Sequence, residues 1–317
     1  MGLPNAIETA LKIISCRQPE VEKVYKIKRK LGGLGKFTLL RATVSCMDME
    51  MLCEERKIPI RVYYPKREEK ADALIIFFHG GGWATGDIES YNKVCINICR
   101  QTGCAVSSVE YRLAPENHFP AGLEDCYAVT QHFLRNSKDL FGISADKITL
   151  MGDSAGGNLA AAVSTMARDT GDILPKKQIL IYPALYNDAT LSSPYLSIKK
   201  NGQNYVLTAK EVEEYMELYQ SRPEDRKSPY FAPLLAGDFS NLPETVIITA
   251  EFDPLRDEAE DYGRRLEKAG VHTEIYRISN MIHAFFTLPT GLPQLQKCYK
   301  IINRFLLGEG YGKTEKI

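Results

Sequence analysis

Gly152-Asp153-Ser154-Ala155-Gly156 follows directly on the apolar run Ile148-Thr149-Leu150-Met151 and leads into an Ala-rich stretch that reaches Ala167. Read physically, this is a buried strand, a sharp turn and a helix packed closely behind it. The glycines let the chain fold back with no Cβ in the way, and the Ala-rich stretch suits a helix that must lie near the turn. The residue at the apex is a serine. A serine hydroxyl at its free pKa is a poor nucleophile, so a chain that uses one must expose it, orient it and supply a base. A bland surface serine on a glycine-rich turn has the same five letters, and the surrounding chain has to decide between the two.

A second segment favours the chemical reading. Leu74-Ile75-Ile76-Phe77-Phe78 is a continuous apolar run of strand length, and it ends in His79-Gly80-Gly81-Gly82-Trp83. Three successive glycines are costly in conformational entropy, so a fold keeps them where the backbone itself has a task. Beside a nucleophilic serine, that task is to aim bare N–H groups at a developing oxyanion. One such donor is worth about a hundred- to thousand-fold in rate.

With these motifs in hand, the chain resembles the hormone-sensitive-lipase family of α/β-hydrolase esterases. The resemblance rests on His79-Gly80-Gly81-Gly82 and Gly152-Asp153-Ser154-Ala155-Gly156-Gly157-Asn158. It is joined by Tyr111-Arg112-Leu113-Ala114-Pro115-Glu116 and Asp253-Pro254-Leu255-Arg256-Asp257-Glu258. It spans residues 60 to 310 and fades before 60 and through 187–228, where only a general likeness to the family's cap region remains. It implies an α/β-hydrolase fold: a mostly parallel central sheet with helices on both faces and a helical cap. Gly-x-Ser-x-Gly is the nucleophile elbow of that fold, and the partners of the serine follow in the order acid, then histidine.

The five histidines are His79, His118, His132, His272 and His283, and only the last two follow Ser154 with room for an acid between. Working residues in such sheets lie beyond the carboxyl ends of the strands. His272 precedes the alternating run Thr273–Ile278 and His283 follows it, so His283 is expected to be the base. The β-branched run Thr245–Ala250 exits into Glu251-Phe252-Asp253-Pro254. Asp253 precedes a proline, which biases it to extended or turn geometry and suits a fixed carboxylate. Glu251 and Asp257 compete for the role; Asp257 falls in what reads as the first turn of a helix, where an acid is favoured anyway. The resemblance also selects Asp253. One oxyanion donor is expected from the N–H of Ala155, the residue after the nucleophile. The resemblance adds Gly81 and Gly82 and gives His79 the part of orienting their loop. Trp83 reads equally as a wall of the substrate pocket or as a core residue. Arg112, Glu116 and His118, in a tract with two prolines, read as scaffold.

Alternating strand and helix patterns support one α/β domain over 1–317. Strands are expected near 58–64, 74–79, 104–110, 147–152, 178–183, 245–250 and 273–279. Helices are expected near 90–101, 122–136, 155–168, 256–269 and 292–307. The start, with an amphipathic pattern over Leu3–Ser15, and the stretch 187–228, with Thr208 as a cap of a helix through Tyr219, stand outside this alternation. They are expected to form the cap from about 1–45 and 187–228 over Ser154.

The 317 residues balance 40 Lys and Arg against 40 Asp and Glu, so charge gives no reason to invoke nucleic acid or an anionic membrane surface. The runs Lys26–Lys30 and Arg67–Lys70 read as solvated surface. Met1–Ala10 carries no leader pattern, and Ala6 breaks the myristoylation pattern that Met1-Gly2 begins. Apolar runs are too short to span a bilayer. The eight cysteines form no Cys-x-x-Cys and no Cys/His clip, so reduced thiols, no zinc site and a cytoplasmic location are expected. No metal and no cofactor are expected.

The expected activity is cleavage of short- to medium-chain carboxylic esters through an acyl-enzyme, by Ser154, Asp253 and His283 with Gly81, Gly82 and Ala155. Arylacetamide-type amide hydrolysis, or binding of a small ligand without catalysis on the same fold, stands as the alternative. The expected partner is a small ester. Nucleic acid and stable membrane insertion are not expected, and a homodimer stays open.

Overall fold

In the computed structural model, residues 44–53, 56–65 and 71–308 are described, together with Val21 and Tyr25. The expected N-terminal helix over Leu3–Ser15 and both charge runs lie outside them. The element order is β1 (Val44–Cys53), β2 (Arg56–Pro65), β3 (Leu74–Phe78), α1 (Asn92–Thr102), β4 (Ala105–Val109), α2 (Ala121–Phe141), β5 (Ile148–Asp153) and α3 (Ala155–Thr170). It continues through β6 (Lys177–Ile181), α4 (Leu196–Asn201), α5 (Ala209–Tyr219), β7 (Glu244–Phe252), α6 (Arg256–Lys268), β8 (Thr273–Ile282) and α7 (Pro293–Leu307).

The strands make one eight-stranded sheet in the order β1-β2-β4-β3-β5-β6-β7-β8. β1 and β2 pair antiparallel, as do β2 and β4, and every pair from β4–β3 onward is parallel. The central strands β3, β4 and β5 are buried at every residue, which is why β3 reads as an unbroken apolar run, while β4 carries the buried Ser107 and Ser108 between its apolar ends. Two apolar clusters cover the two faces. One gathers α2, α3 and α6 through residues such as Phe133, Leu159 and Tyr262; the other gathers α1 and α7 through Ile98, Ile302 and Phe305. The alternation read from the sequence is therefore the observed architecture.

One strand was not legible. β1 is an edge strand whose residues are mostly exposed, and its sequence, Val-Ser-Cys-Met-Asp-Met-Glu-Met-Leu-Cys, has no apolar run and few β-branched residues. Its ten-residue pairing with β2, not its own propensity, makes it a strand. Thr208 caps α5 as expected. Its hydroxyl accepts from the Glu211 N–H and the Glu211 carboxylate accepts from the Thr208 N–H, which closes a capping box.

The sheet sets the stage for the site. Parallel β3, β5, β7 and β8 end at one edge, where Phe78 is level with Gly152 and Phe252 with Ile282. The four segments singled out in the sequence thus leave the sheet on the same side.

Candidate active site

The turn after β5 is held by close packing. A Cβ on Gly152 would lie 2.1 Å from the Gly156 carbonyl oxygen, and one on Gly156 would lie 2.0 Å from that of Phe78. Only glycine lets α3 come so near β5 and β3. Ser154 itself takes φ 55°, ψ −120°, a conformation that costs a non-glycine residue on the order of 1–3 kcal/mol. The turn is paid for by neighbouring bonds: Ser154 N–H donates to the Ile181 carbonyl at 2.9 Å, and Asn158 N–H donates to the Ser154 carbonyl at 3.0 Å. The hydroxyl is thereby lifted off the sheet edge.

His283 follows β8. A register shift in the β7–β8 ladder precedes it: Ala250 is level with Ile278, but Phe252 is level with Ile282. Glu251 fixes this irregularity by accepting the N–H of Asn280, whose φ is 59°, at 2.8 Å. That is the place of one competing acid. The other, Asp257, accepts the Ser197 N–H at 2.7 Å and pairs with Arg256. Neither is bonded to His283.

Asp253 is. Its Oδ2 lies 2.7 Å from His283 Nδ1, and Oδ1 accepts the Leu255 N–H at 2.9 Å. The carboxylate is fully buried and its orientation is fixed from both oxygens. His283 Nε2 lies 2.9 Å from Ser154 Oγ. The network assigns the tautomer: Nδ1–H donates to Asp253, which leaves the Nε2 lone pair for the Ser154 hydroxyl. The Tyr182 ring packs 4.7 Å from the imidazole and supports its face. Ser154, Asp253 and His283 therefore form one hydrogen-bonded line. His272, by contrast, lies at the start of β8 and is more than half exposed.

The glycine loop after β3 borders the same space. Gly81 and Gly82 have φ of 120° and 60°, the left-handed side that glycine tolerates. Gly80 N–H donates to Asp153 Oδ1 at 2.8 Å, which pins the loop to the turn carrying Ser154. Ala155 opens α3, so its N–H has no carbonyl one turn before it to bond within the helix. The cavity is lined by Gly81, Gly82, Ala155, Ser154 and His283, and on its far side by Val206, Leu207, Val212, Tyr215 and Leu255. Its volume is about 200 Å³.

His79 lies below the loop, with Nδ1 2.9 Å from the Gly80 carbonyl. Burial lowers its pKa to about 4, so the ring is neutral and acts as a fixed donor rather than a proton carrier. Tyr111 stacks on it at 4.3 Å and donates to its carbonyl at 2.7 Å. Trp83 combines both sequence readings. It borders the cavity, yet its side chain is buried and stacks flat on Tyr219 at 4.6 Å. Arg112 forks onto Asp125, and His118 Nδ1 lies 2.9 Å from the Leu218 carbonyl. Both are away from the cavity.

The sequence reading set the segment 187–228 over Ser154 as a cap but did not single out Val206, Leu207, Val212 and Tyr215, because nothing local says which of its side chains turn toward the cavity. It also missed Asp153, which lay inside the motif. Its Oδ2 accepts from Tyr91 at 3.1 Å and Tyr182 at 3.3 Å, and burial raises its pKa to about 6 despite those bonds.

Known proteins resemble the chain in sequence and in fold. The family model described as alpha/beta hydrolase fold matches residues 75–287. An arylesterase of Saccharolobus solfataricus is 38% identical over 243 residues, covering 76% of this chain and 77% of that protein. An ethyl acetate hydrolase of Pseudomonas putida is 33% identical over 234 residues, covering 73% and 72%. Among solved structures, a hyperthermophilic esterase from the archaeon Pyrobaculum calidifontis superposes with a TM-score of 0.84 at 33% identity, covering 97% of this chain and 99% of that one. Motifs, sheet order and relatives converge: the chain belongs to the α/β-hydrolase family, in its hormone-sensitive-lipase branch.

Proposed function

We propose that the chain hydrolyses small carboxylic esters of short to medium acyl length, through an acyl-enzyme on Ser154. The observation that carries this reading is the unbroken line from Asp253 Oδ2 to His283 Nδ1 and from His283 Nε2 to Ser154 Oγ, at 2.7 and 2.9 Å. Ser154 attacks the ester carbonyl while His283 takes its proton. Asp253 holds the imidazole tautomer and stabilises the imidazolium that forms. The N–H groups of Gly81, Gly82 and Ala155 receive the oxyanion. His283 then protonates the departing alcohol, and water repeats the sequence on the acyl-enzyme.

The small, largely apolar cavity supports short to medium acyl chains. The names of the relatives, an arylesterase and an ethyl acetate hydrolase, support esters as the substrate class. The segment 187–228 acts as the cap together with the N-terminal region. Support comes from Val206, Leu207, Val212 and Tyr215 on the cavity wall, and from the Val21 N–H, which donates to Glu214 of α5 at 2.8 Å. A cytoplasmic site of action is part of the same reading. Its support is that Cys46, Cys53, Cys95, Cys99, Cys104, Cys126 and Cys298 are all free thiols.

The test is turnover of p-nitrophenyl butyrate. Ser154→Ala is expected to lower kcat on the order of a million-fold. Turnover retained by the folded variant would assign the nucleophile elsewhere and overturn the reading.

A further inference from the structure

We infer that Asn158 is a positioning residue that ties the oxyanion loop to both roots of the cap, so that the alignment of Gly81 and Gly82 depends on the cap through one buried amide. The inference rests on the ester-hydrolase reading above.

Asn158 lies in the first turn of α3 and is 1% exposed. Asparagine is a poor helix former and a costly group to bury, so its amide must gain partners in place of water. It does so on three sides. Nδ2 donates to the Ala184 carbonyl and to the Phe231 carbonyl, both at 2.8 Å. Oδ1 accepts from Trp83 Nε1 at 3.3 Å. Two carbonyls facing one end of the amide fix which end is nitrogen.

These partners belong to different parts of the molecule. Ala184 stands where the chain leaves the sheet for the cap; it borders the cavity, and its N–H donates to the Ser154 carbonyl at 3.3 Å. Phe231 stands where the chain returns from the cap. Trp83 directly follows Gly82 and stacks on Tyr219, the last residue of α5, with the rings within 1° of parallel. One turn earlier in α5, the Tyr215 ring occupies the space beside Gly82: a Cβ there would meet it at 2.3 Å. The oxyanion loop is thus pressed from above by α5 and held from below by Asn158, which also holds both ends of the segment carrying α5. Only glutamine carries the same donors and acceptor, and its amide sits one methylene further from the backbone. Aspartate keeps the acceptor and loses both donors, and an aliphatic residue loses all three bonds.

Asn158 touches no reacting atom, so its effect must pass through Trp83 and Ala184. Displacing an oxyanion donor harms the transition state more than the bound ester, which separates this role from simple support of the fold. Two variants test it. Asn158→Asp keeps the volume and the acceptor but removes the donors to the cap roots. Trp83→Phe keeps a ring against Tyr219, removes the donation to Oδ1 and gives up the second ring of the indole. With p-nitrophenyl butyrate, each is expected to lower kcat about 10- to 100-fold. KM should stay within about threefold, the signature of an interaction made in the transition state. The Ki of an alkyl trifluoromethyl ketone, whose hemiketal oxygen occupies the oxyanion site, should rise by the same factor by which kcat/KM falls. The double variant should lose less than the product of the two single losses, because both cut one network.

A folded Asn158→Asp with wild-type kcat overturns the inference, as does a loss carried by KM or a double variant whose losses multiply. If circular dichroism finds Asn158→Asp unfolded, Trp83→Phe decides alone: unchanged kcat and inhibitor Ki overturn the proposal. Absence of turnover in the wild-type protein would instead sink the ester-hydrolase reading, so the two failures are distinguishable.

Discussion

The sheet edge and the segment 187–228 face each other across the cavity and hold their residues by different means. At the sheet edge the backbone leaves no alternative. Gly152 and Gly156 stand where any Cβ would overlap a carbonyl, Ser154 is held at positive φ, and Asp253 is locked from both oxygens. Across the cavity, order comes from side chains. A capping box starts α5, Arg226 pairs with Glu213 at 2.7 Å, and aromatic rings of α5 rest on the glycine loop. Leu191 and Leu196 in that segment remain largely exposed. The difference has a physical meaning. Atoms that must be placed to within a fraction of an ångström are fixed by close-packed backbone, where a change of one methyl group is felt. The opposite wall of the cavity is built from side chains, which can be exchanged one at a time.

That contrast can be broken most sharply at Gly156. Gly156→Ala puts a methyl group 2.0 Å from the Phe78 carbonyl, and no flexible side chain is there to yield. We expect a loss of at least about 3 kcal/mol in stability together with loss of esterase activity. Thermal melting and p-nitrophenyl butyrate turnover check this. A folded, active Gly156→Ala would mean that the turn is far more pliant than its packing indicates.

On the opposite wall, Tyr215→Ala should move selectivity more than it lowers kcat for the acetate ester. Removing the ring opens the cavity above Gly82, so the ratio of kcat/KM for a hexanoate over an acetate ester should rise about tenfold. A panel of p-nitrophenyl esters measures it. An unchanged profile with a collapsed kcat would place Tyr215 with the sheet-edge residues instead.

The smallest effect concerns the junction between the two regions. Glu258, on α6, is buried and accepts the N–H groups of Leu185 and Tyr186 at 2.7 and 3.2 Å, just where the chain leaves the sheet. Burial raises its carboxyl from the ordinary 4.5 to about 8. Between those two pH values the folded chain keeps a proton that the unfolded chain has released. Stability from this group is therefore full below pH 4.5 and declines as pH rises through 8. Glu258→Gln keeps an acceptor for both N–H groups and removes the titration. Its Tm relative to wild type should rise by a few degrees between pH 5 and pH 9, as melting curves at the two pH values will test. A difference that stays constant with pH would remove Glu258 as a source of this dependence.

Much of the site was legible because its parts are local. Ser154 announces itself by the run before it and the glycines around it, and the loop at Gly80–Gly82 by its entropy cost. His283 and Asp253 followed from being just beyond the ends of recognisable strands. Residues at 206 to 215 carried no comparable mark. Standing outside the strand–helix alternation marks 187–228 as a cap over Ser154, but nothing local says which of its side chains turn toward the cavity. Asp153 was hidden in a motif already explained by its neighbour. β1 escaped because an exposed edge strand needs no apolar run of its own.

The sequence alone determined the order of the strands from β2 onward and of the helices around them apart from α4, and the turn that exposes Ser154; the order of serine, acid and histidine came with the family resemblance. The strands, the helices and the turn follow from burial patterns and from glycines that only certain backbone conformations can use. Tertiary structure decided what each competing acid meets: Glu251 the Asn280 N–H, Asp257 the Ser197 N–H, and Asp253, the acid the sequence reading selects, the imidazole. It also decided the shape of the cavity and the partners of Asn158, because both depend on segments far apart in the chain being packed against one another.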